Sequence, residues 1–124
     1  MARLRPELLE RVEDVADRVL DVAEHVGSNR RFPRLIEQMA ASGTSIGANV
    51  FEADEAMSAK DFCKCLCIAV KELNETRYWL RLFARRGWVA PKRIGPLETE
   101  LVEVKKVLGA MIGATMRKSG AKRA

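Results

Sequence analysis

Apolar residues recur at alternating steps of three and four in four stretches of this chain, and those stretches cover most of its length. The first runs Leu8, Val12, Val15, Val19, Val22, Val26, and the second Ile36, Met39, Gly43, Ile46, Val50, Ala53, Met57. The third is Phe62, Leu66, Ala69, Leu73, Thr76, Leu80, Phe83, and the fourth Leu97, Leu101, Val104, Leu108, Met111, Thr115. A mean step of about 3.5 keeps such residues on one narrow seam of an α-helix, the pattern that knobs-into-holes packing needs. Four seams in one short chain predict an all-α fold, a four-helix bundle, and no strand pattern competes with it.

Capping and breaking residues divide the chain into helices of about 6–27, 33–56, 59–86 and 93–118 within a single domain, 1–124. Pro6 and Pro33 suit a first helical turn, while Gly27 and Gly87 are natural stops. Ser58 with Asp61 three residues on resembles a capping box, so the turn after the second helix is tight. Ile94 extends the fourth seam backwards, but Gly95-Pro96 makes the start of that helix ambiguous anywhere from Lys92 to Leu97. The tail from Ser119 is expected to fray. Short connections predict an antiparallel, up-down-up-down order and a rod roughly 30 to 40 Å long.

With 124 residues, 48% hydrophobic and 31% charged, the composition is that of a soluble globular protein. No apolar run approaches the ~18 residues of a membrane span. The opening residues turn acidic at Glu7 and Glu10, unlike a signal or transit peptide, so the expectation is a cytoplasmic protein with no membrane partner. Cys63, Cys65 and Cys67 share one helix; at ~100° per residue Cys65 points away from the other two, and the three cannot converge on one metal. They read as reduced, partly buried small hydrophobes.

The second helix carries a polar line beside its apolar seam: Gln38, Ser42, Ser45, Asn49 and Glu52. Gly43 and Gly47 lie within it, each costing about 1 kcal/mol relative to alanine, which close approach of a neighbouring helix would offset. Asn49 and Ser45 are expected to fix packing register by hydrogen bonding, the alternative being a polar ligand pocket.

Around this line the chain resembles a known family. Thr44-Ser-Ile-Gly-Ala-Asn49-Val-Phe-Glu-Ala53, Ser58-Ala-Lys-Asp-Phe62 and Ile68-Ala-Val-Lys-Glu-Leu-Asn-Glu-Thr-Arg-Tyr-Trp-Leu80, with Gln38 upstream, are similar to the four helix bundle proteins encoded in intervening sequences of bacterial 23S ribosomal RNA genes. Ala53 and Lys71-Glu72 depart from the residues many members carry there. The resemblance implies a bundle that assembles as a homopentameric ring, with no enzymatic activity. It also implies a distant relation to the accessory protein of diversity-generating retroelements, a basic pentamer that associates with a reverse transcriptase and nucleic acid. The motif residues it points to are Gln38, Ser42, Ser45, Asn49, Glu52 and Glu75.

Catalytic chemistry has little to stand on. His25 is the single histidine, and Val22 occupies the position three before it, so no Glu-x-x-His metal pair exists. Neither a phosphate-binding glycine loop nor a nucleophile motif is present. Glu52 is expected to pair with Lys60 or Lys64. Trp79, beside the third seam on a line with Glu72 and Glu75, is expected to pack against a neighbouring helix or subunit. Leu9, Ala16, Leu20 and Ala23 give the first helix a second apolar line, which points to burial beyond its own core.

Charge supplies the clearest functional signal. The net charge is +5, yet residues 26–36 hold Arg30, Arg31 and Arg34 with no acid, and residues 76–97 hold Arg77, Arg81, Arg85, Arg86, Lys92 and Arg93 with no acid. An up-down-up-down bundle puts both segments at one end. Some of these cations complement helix C-terminal dipoles. The remainder predict a polyanion contact, RNA or DNA, in a non-catalytic binding or scaffold protein without cofactor. The alternative is a protein-facing adaptor, such as an accessory subunit of a retroelement reverse transcriptase.

Overall fold

The computed structural model describes residues 4–28 and 32–123, and all of their regular structure is helical: α1 (Pro6–Gly27), α2 (Pro33–Asp54), α3 (Ala59–Arg85) and α4 (Pro91–Arg123). The first three seams become the core, apart from Met57. Every seam residue of α1 from Leu8 to Val26 is buried, as is every one of α3 from Phe62 to Phe83. In α4 the seam is buried from Leu97 to Leu108, and Ile94 joins it, while Met111 and Thr115 are only half-buried.

The ends follow from local bonding. Ser58 caps α3 by accepting the Asp61 N–H at 3.1 Å, as its spacing predicts. At the far end Trp88 N–H donates to the Phe83 carbonyl (2.9 Å) and Gly87 N–H to that of Ala84 (3.0 Å), around a left-handed Gly87 with φ 76°. That is a Schellman closure, which requires a residue at ease with positive φ.

Three boundaries differ from the sequence expectation by two residues or more. Helix α2 stops at Asp54, because Glu55 and Ala56 donate to carbonyls only three residues back and tighten the last turn. Met57 therefore leaves the seam and is 94% exposed. Helix α4 begins at Pro91, whose fixed φ suits a first turn, and it absorbs Pro96; Thr99 Oγ1 donates to the Gly95 carbonyl at 3.1 Å. It then continues to Arg123, past the expected end near residue 118.

Close approach explains Gly43, while Gly47 leaves room for a methyl group in ordinary contact. A β-carbon at Gly43 would stand 2.5 Å from Val19 Cγ1, and one at Gly47 3.4 Å from the Val12 carbonyl oxygen. Helices α2 and α3 are bridged by buried hydroxyls: Thr76 Oγ1 lies 2.9 Å from both Ser42 Oγ and the Glu72 carbonyl and shares its one proton between them, while Ser42 donates to the Met39 carbonyl. The Leu4 N–H donates to the Asp54 carboxylate at 3.0 Å, tying the start of α1 to the end of α2. Phe62, near the start of α3, shares a groove with Met111 and Thr115 of α4. Arg11 and Glu100 join α1 to α4 through two bonds, Nε–Oε2 at 3.0 Å and Nη2–Oε1 at 2.6 Å.

Candidate nucleic-acid interface

The start of α2 and the end of α3 meet through aromatic rings. Phe32 and Trp88 stack with centroids 5.8 Å apart and planes 18° from parallel, and Trp88 in turn lies 5.1 Å from Phe83 in the core. The two acid-free segments are therefore brought together, and their cations sort into two groups.

One group surrounds the stack. The Arg86 guanidinium sits 5.7 Å from the Trp88 ring centroid. Arg34, two residues beyond Phe32, and Lys92 and Arg93, in the first turn of α4, are all exposed. Arg30 and Arg31 lie outside the described residues. The other group runs along the flank of α3, where Arg77, Arg81 and Arg85, with Asn74, Tyr78 and Leu82, line one shallow groove. Arg77 is half-buried, and Tyr78 is 58% exposed.

Helix α1 carries the opposite charge on its outer face, where Glu10, Glu13, Asp14 and Asp17 line a groove with Ala16 and Leu20. Asp21 and Glu24 are exposed farther along the same helix.

The polar line of α2 does less than its spacing implied. Ser42 is buried, Ser45 and Asn49 are half-buried, and Gln38 and Glu52 are exposed. Asn49 Nδ2 donates to the Ser45 carbonyl (2.8 Å) and Ser45 Oγ to the Ala41 carbonyl (2.7 Å), both within the helix. The bond that crosses between helices belongs to Ser42 and Thr76, because a side chain at the buried edge of the line reaches α3 and one further out does not. Among the described residues Glu52 forms no ion pair with Lys60 or Lys64; a solvated pair there would gain little. Glu75 is exposed and accepts the Trp79 indole N–H at 3.2 Å, while Trp79 packs half-buried against Phe83 and Tyr78. Burial, followed by the charge of Glu75, raises the Glu72 carboxyl above its ordinary value, and Lys71 pulls it back.

The cysteines are unpaired; Cys63 and Cys65 are half-buried, but Cys67 is exposed, against the expectation for all three. Burial, then Glu52 and Asp61, raise the Cys65 thiol and keep it protonated. Among the described residues no three His, Cys, Asp or Glu side chains are placed to hold a metal ion. No described helix is long and apolar enough to cross a membrane.

Phe32, Tyr78 and Trp88 were not singled out from the sequence. The available signal was their position: each aromatic lies within two residues of an arginine in a segment without acids.

Comparison with curated proteins finds no match. Among solved structures, the chain is similar to a protein of unknown function from the S23 ribosomal protein family of Bacteroides thetaiotaomicron. The two are 33% identical with a TM-score of 0.80, over 85% of this chain and 97% of that one. The family described as 23S rRNA-intervening sequence protein matches residues 7–110. With most of its length matched, the chain belongs to the 23S rRNA-intervening sequence protein family.

Proposed function

We propose that this chain is a non-catalytic scaffold that holds nucleic acid by its phosphates at the end where Phe32 meets Trp88. The Phe32–Trp88 contact carries the reading, because it unites two segments, 26–36 and 76–97, that hold cations and no acid. Arg34, Arg86, Lys92 and Arg93 supply the phosphate contacts, which carry no sequence information and make binding sequence-independent. Each neutralised phosphate releases counterions, so affinity falls steeply with salt. Anisotropy of a labelled oligonucleotide from about 50 to about 300 mM salt tests this. Replacing the four cations by Gln should weaken binding and flatten log K against log salt by roughly 0.7 to 0.9 for each phosphate no longer neutralised. Wild-type protein that fails to bind at the low-salt end refutes the reading.

An up-down-up-down order and a homopentameric ring complete it. The order is supported by the Leu4–Asp54, Phe32–Trp88 and Phe62–Met111 proximities. The ring is favoured by the opposite charges of the α1 and α3 outer faces, which lie on either side of α2. Val19 touches α2 at Gly43, and Thr76 bonds it at Ser42, so Val19 and Thr76 are level. Glu24 and Arg81 each stand five residues beyond that level towards the Phe32–Trp88 end. Acidic and basic faces at one height are what a head-to-tail contact closing by rotation requires. The reading reserves Arg77, Arg81 and Arg85 for a neighbouring copy and the cap cations for phosphate. Unpaired cysteines fit a reducing, cytoplasmic address. If the cap binds no oligonucleotide, the cations are left for an acidic protein surface, of which a reverse transcriptase is one instance.

A further inference from the structure

We propose that Phe32 is a base-stacking platform that makes the basic cap select single-stranded over double-stranded nucleic acid. This rests on the reading of the cap as a nucleic-acid interface and adds to it the form of the ligand.

The backbone of Phe32 is left-handed, φ 51° and ψ 53°, the one positive-φ residue other than glycine among those described. A bulky side chain rarely adopts that conformation, and strain of this kind persists where the surroundings impose it. Two contacts impose it here: the Phe32 carbonyl accepts the Leu35 N–H at 3.0 Å, and its ring lies on Trp88. The result is an aromatic side chain held in place yet 55% exposed.

Phe83, Trp88 and Phe32 form a ladder that runs from a fully buried ring through a half-buried one to solvent. Each inner ring backs the next, and a base placed on the open face of Phe32 continues the stack begun by Trp88. Arg86, over the Trp88 ring, and Arg34, two residues from Phe32, supply charge beside that position. A π surface edged with cations is the chemistry that binds unpaired bases in a sequence-tolerant way. A base within a duplex already has both faces covered by its neighbours and gains nothing from a third ring.

Trp79→Phe leaves Trp88 as the only tryptophan and hence as reporter, in the full chain. Oligo-dT and oligo-rU of about 20 nucleotides should each quench Trp88 fluorescence and bind roughly tenfold more tightly than a duplex of equal length at the same salt. Phe32→Ala should abolish that preference, lowering single-strand affinity by about tenfold more than duplex affinity, and Phe32→Trp should retain it. Phe32→Gly removes the ring and the left-handed strain together, so it should lose the preference while its thermal melt stays at or above that of wild type. Equal affinity of wild type for single strands and duplex overturns the platform while leaving the phosphate cap standing. A Phe32→Gly variant that keeps the preference overturns it equally. Absence of all binding removes the cap and the platform with it.

Discussion

Thr76 of α3 and Ser42 of α2 place their hydroxyls 2.9 Å apart in the core, where Ser42 donates to the Met39 carbonyl and the one Thr76 proton is shared between Ser42 and the Glu72 carbonyl. A buried polar pair of this kind costs apolar packing, but it penalises any slip of α2 against α3 that would leave the hydroxyls facing methyl groups. Ser42→Ala and Thr76→Val should each lower stability by about 0.5 to 1.5 kcal/mol. The double variant should lose less than the sum, because no partner is then left facing an apolar group. Asn49→Ala, which removes only a bond to its own helix at a half-buried position, should cost less than either. Urea melts of the four variants measure this; strict additivity would refute a coupled pair.

The two α2 glycines should separate on substitution. Gly43→Ala drives a methyl group to 2.5 Å from Val19 Cγ1 and should destabilise by about 1 to 3 kcal/mol, with Val19→Ala in the same chain recovering part of the loss. Gly47→Ala meets the Val12 carbonyl oxygen only at 3.4 Å and gains helix propensity of about 1 kcal/mol, so it should be neutral or stabilising. Thermal melts decide.

The spacing of these residues made much of the fold legible. A period of 3.5 located the seams of α1 and α3 residue by residue, and the small residues of α2 signalled a close neighbour. Periodicity carries no account of where a helix closes its last hydrogen bond, however, and Met57 was lost from its seam at that point. It also cannot distinguish a polar side chain that reaches the next helix from one that turns back on its own, as Ser42 and Asn49 show. At the candidate site the arginines were visible as acid-free runs. Phe32 was not, because its exposure depends on a left-handed backbone and a ring contact 56 positions away in sequence, at Trp88.

Acid should act in opposite directions on two glutamates. The hydrogen bond from Arg11 holds Glu100 below its ordinary value, so its contribution is present above the unfolded carboxylate range and is lost as pH falls through the folded value. Glu100→Gln should cost about 0.5 to 1 kcal/mol at neutral pH, a figure kept small because Arg11 is 37% exposed, and nothing once wild-type Glu100 is protonated. Glu72 is raised, chiefly by burial, so its folded form favours the proton. The contribution of that protonation is full below the unfolded value and disappears as pH rises through the folded one. Glu72→Gln should therefore stabilise the protein at neutral pH and match wild type in acid. Stability curves from about pH 3 to 8 would show the two variants diverging from wild type in opposite senses; the same sign for both would contradict the assignment.

The ring contact makes the sharpest demand. If the outer face of α1 meets the flank of α3 in the next copy, light scattering should give a mass near five times 13.9 kDa. Asp17→Arg with Asp21→Arg sets like charges against Arg77 and Arg81 and should reduce the particle to monomers, as should Arg77→Glu with Arg81→Glu. Carried in one chain, the four substitutions exchange the charges of the two faces and should restore the ring, because a head-to-tail contact uses both faces of every copy. Replacing the cap residues Arg34 and Arg86 by Gln should leave the mass unchanged. Salt is a further control, since screening should weaken a contact held by exposed charges. A monomeric wild type at tens of micromolar excludes the ring. An oligomer indifferent to both reversals places its interface elsewhere and returns Arg77, Arg81 and Arg85 to the phosphate-binding surface.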